Sequence, residues 1–226
     1  MNFSFLPKYY TFFINGAKNT VLLAFFTVAL GVVFGVFLAL MRISKNKVLN
    51  FISTAYVEVI RGTPLLVQIF IIYYGLPAIG INFPSVAFLG STGEEFVAGI
   101  IALSINSGAY VAEIIRSGIQ SVDNGQMEAA RSLGMSYSMS MRHIIIPQAF
   151  KNILPALGNE FIVIIKESSI VSVIGINELM YNANTVRGNT FIPLEPLIVA
   201  AGIYFVLTFT LSKLLGIVER RMKVSD

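Results

Sequence analysis

Four side chains stand out because they carry polar chemistry inside segments that are otherwise apolar: Glu58, Asn106, Ser107 and Glu160. Two carboxylates with an amide and a hydroxyl can hold a small zwitterion. The carboxylates meet an ammonium or a cationic side chain, and the amide and hydroxyl meet a carboxylate. Pro64 follows Glu58 by six positions and lacks a backbone N–H, so with Gly62 it should kink a helix and free a carbonyl nearby. A second group is Glu128-Ala129-Ala130 followed by Gly134, Ile144 and Pro147. Its chemistry is mechanical. Asp123 and Asn124 can cap a helix, the alanines leave room for close approach, and Gly134 suits a left-handed stop.

Those residues must be positioned by helices in a membrane. Of 226 residues, 55% are hydrophobic and 12% charged, where a soluble domain carries about 25% charged residues. Mean hydropathy is +0.76. The balance excludes a soluble enzyme and a disordered chain. The absence of cysteine excludes disulfides, thiolate metal sites and cysteine nucleophiles. His143 is the sole histidine and cannot build a metal site alone.

About 20 apolar residues cross the hydrocarbon core as a helix. On that length the sequence predicts five spans, at about 19–41, 48–76, 94–118, 148–170 and 196–218. The first is too long for the apolar part of a signal peptide, and no basic cluster precedes it, so it reads as an uncleaved span. The fourth carries Lys151, Glu160, Lys166 and Glu167 and is read as a helix with one polar stripe among other helices. With the N-terminus outside, the inner segments hold Arg42, Lys45, Lys47, Arg116, Arg131, Arg142, Lys151, Lys213, Arg220, Arg221 and Lys223, and the outer ones only Lys8, Lys18 and Arg187. That is a positive-inside bias. The stretch from Pro77 to Glu95 has no basic residue, as suits an outer loop.

The inner connection, about residues 119–147, is too long for a simple turn. It reads as a cytoplasmic helix–glycine–helix hairpin, the second helix starting at Ser136 and limited by Pro147. Glu58 with Arg61 and Glu113 with Arg116 are spaced i, i+3 and can pair within the bundle.

The hairpin also carries a resemblance. Glu128-Ala129-Ala130, Gly134, Ile144 and Pro147 match the EAA signature, E-A-A-x3-G-x9-I-x-L-P, of ABC importer permease subunits, with Ile146 in place of leucine. Six identities at background frequencies give roughly 10⁻⁷ per window. Arg61-Gly62-Thr63-Pro64-Leu65-Leu66-Val67-Gln68, Ala109-Tyr110-Val111-Ala112-Glu113, Leu157-Gly158-Asn159-Glu160-Phe161 and Lys166-Glu167-Ser168-Ser169 extend it. These resemble the polar amino acid permeases for histidine, glutamine and arginine uptake, over about residues 15–222.

The resemblance implies an all-α polytopic membrane protein of the type I ABC importer kind. It would be a single permease domain over residues 1–226, with a cytoplasmic coupling hairpin and two such subunits per pore. It implies a multi-pass protein of a prokaryotic cell membrane, the C-terminus cytoplasmic. Its partners would be a cytoplasmic ABC ATPase dimer, a second permease subunit (a homodimer by preference) and an extracellular amino acid-binding protein. No cofactor belongs to this chain; ATP and magnesium belong to the partner ATPase. That division agrees with the sequence, which has no G-x-x-x-x-G-K-[ST] loop. The residues contacting the ATPase would be Glu128, Ala129, Ala130, Gly134, Ile144 and Pro147. Glu58, Asn106, Ser107 and Glu160 are the candidates for substrate, and Gly62 with Pro64 for a kink or gate. Two acids in one cavity favour a basic amino acid; if Arg61 neutralises one, glutamine fits. An ATP-independent channel or secondary transporter would explain intramembrane carboxylates, but not the EAA hairpin.

Overall fold

The computed structural model describes residues 1–86 and 93–223, the last by its backbone. Among these, every regular element is helical. The basic-free stretch expected to form an outer loop falls partly on residues 87–92, outside the described residues, as does the side chain of Lys223.

Helix α1 (Leu6–Ile43) is 38 residues long, well beyond the predicted span. Polar Asn15, Lys18 and Asn19 interrupt the hydropathy of its first part, but the helix continues, packed against α8. The Asn19 amide donates to the Asn177 carbonyl at 2.8 Å. Phe5 and Phe13 bury against Leu179, Ala183, Val186 and Ala200.

The predicted second span is two helices, α2 (Lys47–Arg61) and α3 (Leu65–Ala78). The break at Gly62–Pro64 turns the axis by 107°, far more than a kink. Helix α4 (Gly93–Gln120) is the central element, most extensively packed along α1. Glycines make that approach close. A Cβ on Gly31 would lie 2.9 Å from Ser107 Oγ.

The coupling hairpin begins with α5 (Asn124–Ser132), followed by α6 (Tyr137–Ser140). A π-helical turn (Met141–Ile145) joins α6 to α7 (Ile146–Glu167), and a 3₁₀ segment (Ser168–Ile174) extends α7. Pro147 therefore does not end the second hairpin helix as expected. It lies within a continuous helical run, and the π turn just before it accommodates the missing N–H. Helix α8 (Leu179–Thr190) packs across the N-terminal part of α1, and α9 (Glu195–Lys223) closes the bundle.

Helices α1, α4 and α9 are long and apolar enough to cross a membrane, and the bent α2–α3 pair counts as a fourth crossing if taken as one. Helix α7, with 22 residues, has the length of a span, but its charged residues do not form the single stripe expected: Glu160 is buried and Lys166 exposed, since nine positions at about 100° each set Lys151 and Glu160 on opposite faces.

Candidate translocation site and coupling segment

The core of the molecule holds a polar layer. Asn106 lies midway between Gly93 and Gln120 on α4, and Glu160 midway between Ile146 and Ile174 on the α7–3₁₀ element. Both are buried, as is Ser107. The Ser107 hydroxyl donates to Glu160 Oε1 at 2.8 Å. Among the described residues Glu160 has no ion-pair partner. A buried carboxylate held by one hydroxyl retains unused acceptor capacity.

Asn106 turns elsewhere. Its amide donates to Gln68 Oε1 at 2.9 Å, and Gln68 Nε2 reaches the Ile60 carbonyl at 2.7 Å and Thr63 Oγ1 at 2.8 Å. Ile60 is the residue whose carbonyl would accept from position 64 in an unbroken helix. Pro64 has no hydrogen to give, and Gln68 takes its place. The carbonyl expected to stand free at the break is thus satisfied, and the α2–α3 elbow is tied to the middle of α4. Gln68 is absent from the site residues anticipated above. Its signal was a lone amide four positions after a proline, on the next turn of an apolar helix.

Glu58 does not join this layer. Its side chain is 67% exposed and lies 3.7 Å from Arg42, near the C-terminal end of α1, whereas Ser107 sits at the level of Gly31. Arg61 does not pair with Glu58 as the i, i+3 spacing allows. The helix ends there, and the guanidinium lies over the Tyr110 ring, 5.4 Å from its centroid. The other predicted pair forms: Arg116 Nε donates to Glu113 Oε2 at 3.1 Å, and Arg42 Nη1 donates to the same oxygen at 2.6 Å. One carboxylate therefore joins the C-terminal ends of α1 and α4. Around the layer, Ser168 is buried with Glu160, Ser169 is half-buried, and Asn159 and Lys166 are exposed on the single chain.

The coupling segment is built by local rules. Asp123 caps α5 by accepting from the Gly125 N–H at 2.7 Å. At the other end Gly134 has φ +84°, its N–H donates to the Arg131 carbonyl, and the Met135 N–H donates to the Ala130 carbonyl. These two bonds are the Schellman stop that a glycine at this position permits. Ser136 then caps α6 through the Met139 N–H at 3.2 Å. Ala130 and Ile145 are buried inside the hairpin and Ile144 is half-buried, while Glu128, Ala129, Gly134 and Pro147 are exposed. Leu133, 85% exposed, sits beside them. An acid, a small residue and an uncovered leucine on one rigid turn make a surface suited to contact.

Comparison with known proteins agrees with this architecture. The family described as binding-protein-dependent transport system inner membrane component matches residues 31–224. The chain is 41% identical over 226 residues to the arginine transport system permease protein ArtQ of Bacillus subtilis, covering 100% of this chain and 99% of that one. It is 42% identical over 225 residues to the probable glutamine ABC transporter permease protein GlnM of the same organism, covering 100% of both. Among solved structures, an amino acid ABC transporter crystallised with histidines is similar at 54% identity and TM-score 0.89, covering 98% of this chain and 100% of that one. The inward-facing MetNI methionine ABC transporter shares the fold at 16% identity and TM-score 0.77, covering 98% and 99%. With its helical bundle, central polar layer and exposed EAA turn, the chain belongs to the binding-protein-dependent transport system inner membrane components, the permease subunits of ABC importers.

Proposed function

We propose that this chain forms half of the translocation pore of an ATP-driven importer for polar or basic amino acids, with Glu160 the main protein contact for the substrate's positive charge. The observation that carries the reading is the Ser107–Glu160 pair: a carboxylate in the middle of the bundle, buried, held by one hydroxyl and lacking a counter-ion among the described residues. Intramembrane acids of that kind mark substrate paths, and transporter sites lie near the midplane. The second amide N–H of Asn106, beyond the one given to Gln68, would meet the substrate carboxylate, while Ser107 would hold Glu160 in place. Glu58, on α2 beside Arg42 near the C-terminal end of α1, would meet the cation further along the path. The arginine and glutamine named for the relatives and the histidines of the similar structure are consistent with a polar or basic amino acid.

The five-span reading takes α1, the α2–α3 pair, α4, α7 and α9 as the crossings, with the N-terminus outside and the coupling hairpin cytoplasmic, in agreement with the distribution of lysine and arginine. A homodimer is the preferred assembly. Asn159, Lys166 and Arg61 are exposed on one chain, and polar groups at membrane depth face protein or water rather than lipid. Glu128 to Gly134, with Ile144 and Pro147, would dock on a cytoplasmic ATPase that binds ATP and magnesium, and an external binding protein would deliver substrate.

The test is uptake by proteoliposomes containing the complete importer. Glu160→Gln should reduce arginine and histidine uptake at least ten-fold while glutamine uptake falls less. Unchanged uptake of all three would make Glu160 a structural bundle residue.

A further inference from the structure

The elbow between α2 and α3 dictates the orientation of an amide in the central layer. Pro64 has no N–H to give the Ile60 carbonyl, and Gln68 Nε2 stands in. It lies 2.7 Å from that carbonyl, 2.8 Å from Thr63 Oγ1 and 3.1 Å from the Thr63 carbonyl. All three neighbours act as acceptors. Carbonyls carry no hydrogen, and the Thr63 hydroxyl donates its own to the Val59 carbonyl at 2.9 Å. Gln68 can therefore face the elbow only with its nitrogen, and its two N–H groups are committed there.

The rest of the chain follows. Gln68 Oε1 is turned away from the elbow and lies 2.9 Å from Asn106 Nδ2. That oxygen can only accept, so Asn106 must answer with its nitrogen. Both side chains are buried. The two ends of a primary amide are nearly the same size, so the partners, and not the packing, decide which end points where. Asn106 spends one N–H on Gln68 and keeps the other. Without Gln68 Oε1 the amide can turn over and set its oxygen where its nitrogen stands, and an oxygen repels a carboxylate.

We propose that Gln68 is a positioning residue for the substrate's α-carboxylate, holding the Asn106 amide in the orientation that keeps an N–H for it. The selectivity this produces is for amino acids over the corresponding decarboxylated amines. The inference rests on the reading above, in which the carboxylate meets Asn106 and the positive charge meets Glu160.

The permease assembled with its ATPase in nanodiscs, without binding protein, is tested by equilibrium binding of radiolabelled arginine and agmatine. Agmatine carries the guanidinium and an amine but no carboxylate. Gln68→Met, similar in length and apolar, should weaken arginine binding about ten-fold, the size of one hydrogen bond to a charged group, and agmatine binding by less than about two-fold. Retained agmatine binding shows that the variant is folded. Asn106→Leu should discriminate between the two ligands in the same way. The double variant should bind arginine no more weakly than Asn106→Leu alone, because residues in one hydrogen-bond chain are not additive. A role confined to bracing the elbow would weaken both ligands alike in Gln68→Met and add to the loss in Asn106→Leu; either result overturns the proposal. Glu160→Gln tests the underlying reading separately and should weaken both ligands. If it weakens neither, the translocation-site reading fails and this inference with it. If it weakens both while Gln68→Met binds arginine as the parent does, the role of Gln68 alone is refuted.

Discussion

Ser107 Oγ donates to Glu160 Oε1 across 2.8 Å at the level of α1 where Gly31 presents no side chain. The glycine and the hydrogen bond depend on each other. A Cβ at position 31 would meet Ser107 Oγ at 2.9 Å and Ser107 Cβ at 3.0 Å, so any larger residue pushes α4 away from α1 and carries Ser107 with it. Gly31→Val is expected to destabilise the chain by about 1–3 kcal/mol through overpacking. Ser107→Gly in the same background should recover part of the loss by vacating the contact. Thermal unfolding of the purified chain in detergent measures both, and an unchanged midpoint in Gly31→Val would show that the helices yield there at no cost.

The charged cluster at the other end of α1 makes a graded prediction. Arg42 and Glu113 are 13% and 20% exposed and 2.6 Å apart, whereas Glu58 is 67% exposed and 3.7 Å from Arg42. Arg42→Met strips Glu113 of one of two arginines and should cost about 1.5–3 kcal/mol, the range for hydrogen bonds to charged groups. Arg42→Lys keeps the charge but loses the fork and should fall between. Glu58→Gln should change stability by less than about 1 kcal/mol, as for an exposed pair. Equal losses for Glu58→Gln and Arg42→Met would contradict this ordering.

The helical class, the central polar layer and the capped, glycine-stopped coupling helix were legible because hydropathy, capping residues and helical spacing are local signals. What was not legible depended on distant partners. The first part of α1 reads as too polar to extend a span until Asn19 is seen donating to Asn177. The α2–α3 break reads as a kink because proline gives no information about angle. Gln68 repairs the Ile60 carbonyl and thereby fixes the elbow against Asn106. Glu58 and Arg61 pair on paper, but α2 ends at Arg61, and the arginine finds Tyr110 instead. Grouping Glu58 with Glu160 in one cavity takes the second span as straight, and the 107° turn after α2 undoes that grouping.

Coupling gives the third prediction. Gly134 adopts φ +84°, a conformation that costs an ordinary L-residue about 1–2 kcal/mol and a β-branched one more. Gly134→Val should leave membrane insertion and the bundle intact, since a Cβ there would meet nothing within 4 Å. It should also unwind the Schellman stop and misdirect Glu128, Ala129 and Leu133. Gly134→Asn, which tolerates the left-handed region, should be much milder. Substrate-stimulated ATP hydrolysis by the assembled importer is the readout, and a normal rate in Gly134→Val would remove this turn from the coupling path.

The last prediction concerns pH and rests on Glu178, in the connection between the 3₁₀ segment and α8. It is fully buried. Its carboxylate caps α8 by accepting from the Met180 and Tyr181 N–H groups at 2.8 and 2.6 Å, and accepts from the Tyr204 hydroxyl at 2.7 Å. Those bonds favour the charged form. Burial outweighs them and pushes the group from its ordinary 4.5 up to about 7. A carboxyl raised on folding makes the folded state bind more protons than the unfolded chain between those two values, so stability falls as pH rises through that window. The contribution is complete below about pH 4.5 and lost above about pH 7, with a span of roughly 3 kcal/mol from 1.36 kcal/mol per unit. Glu178→Gln keeps an acceptor for the α8 N-terminus and for Tyr204 but cannot ionise. The variant should therefore match or exceed the parent in stability at pH 8 and lose its advantage near pH 5. Unfolding curves of both chains in detergent across pH 4.5–8 decide the matter. If the two run parallel, Glu178 stays charged in the folded protein, and the hydrogen bonds, rather than burial, govern its titration.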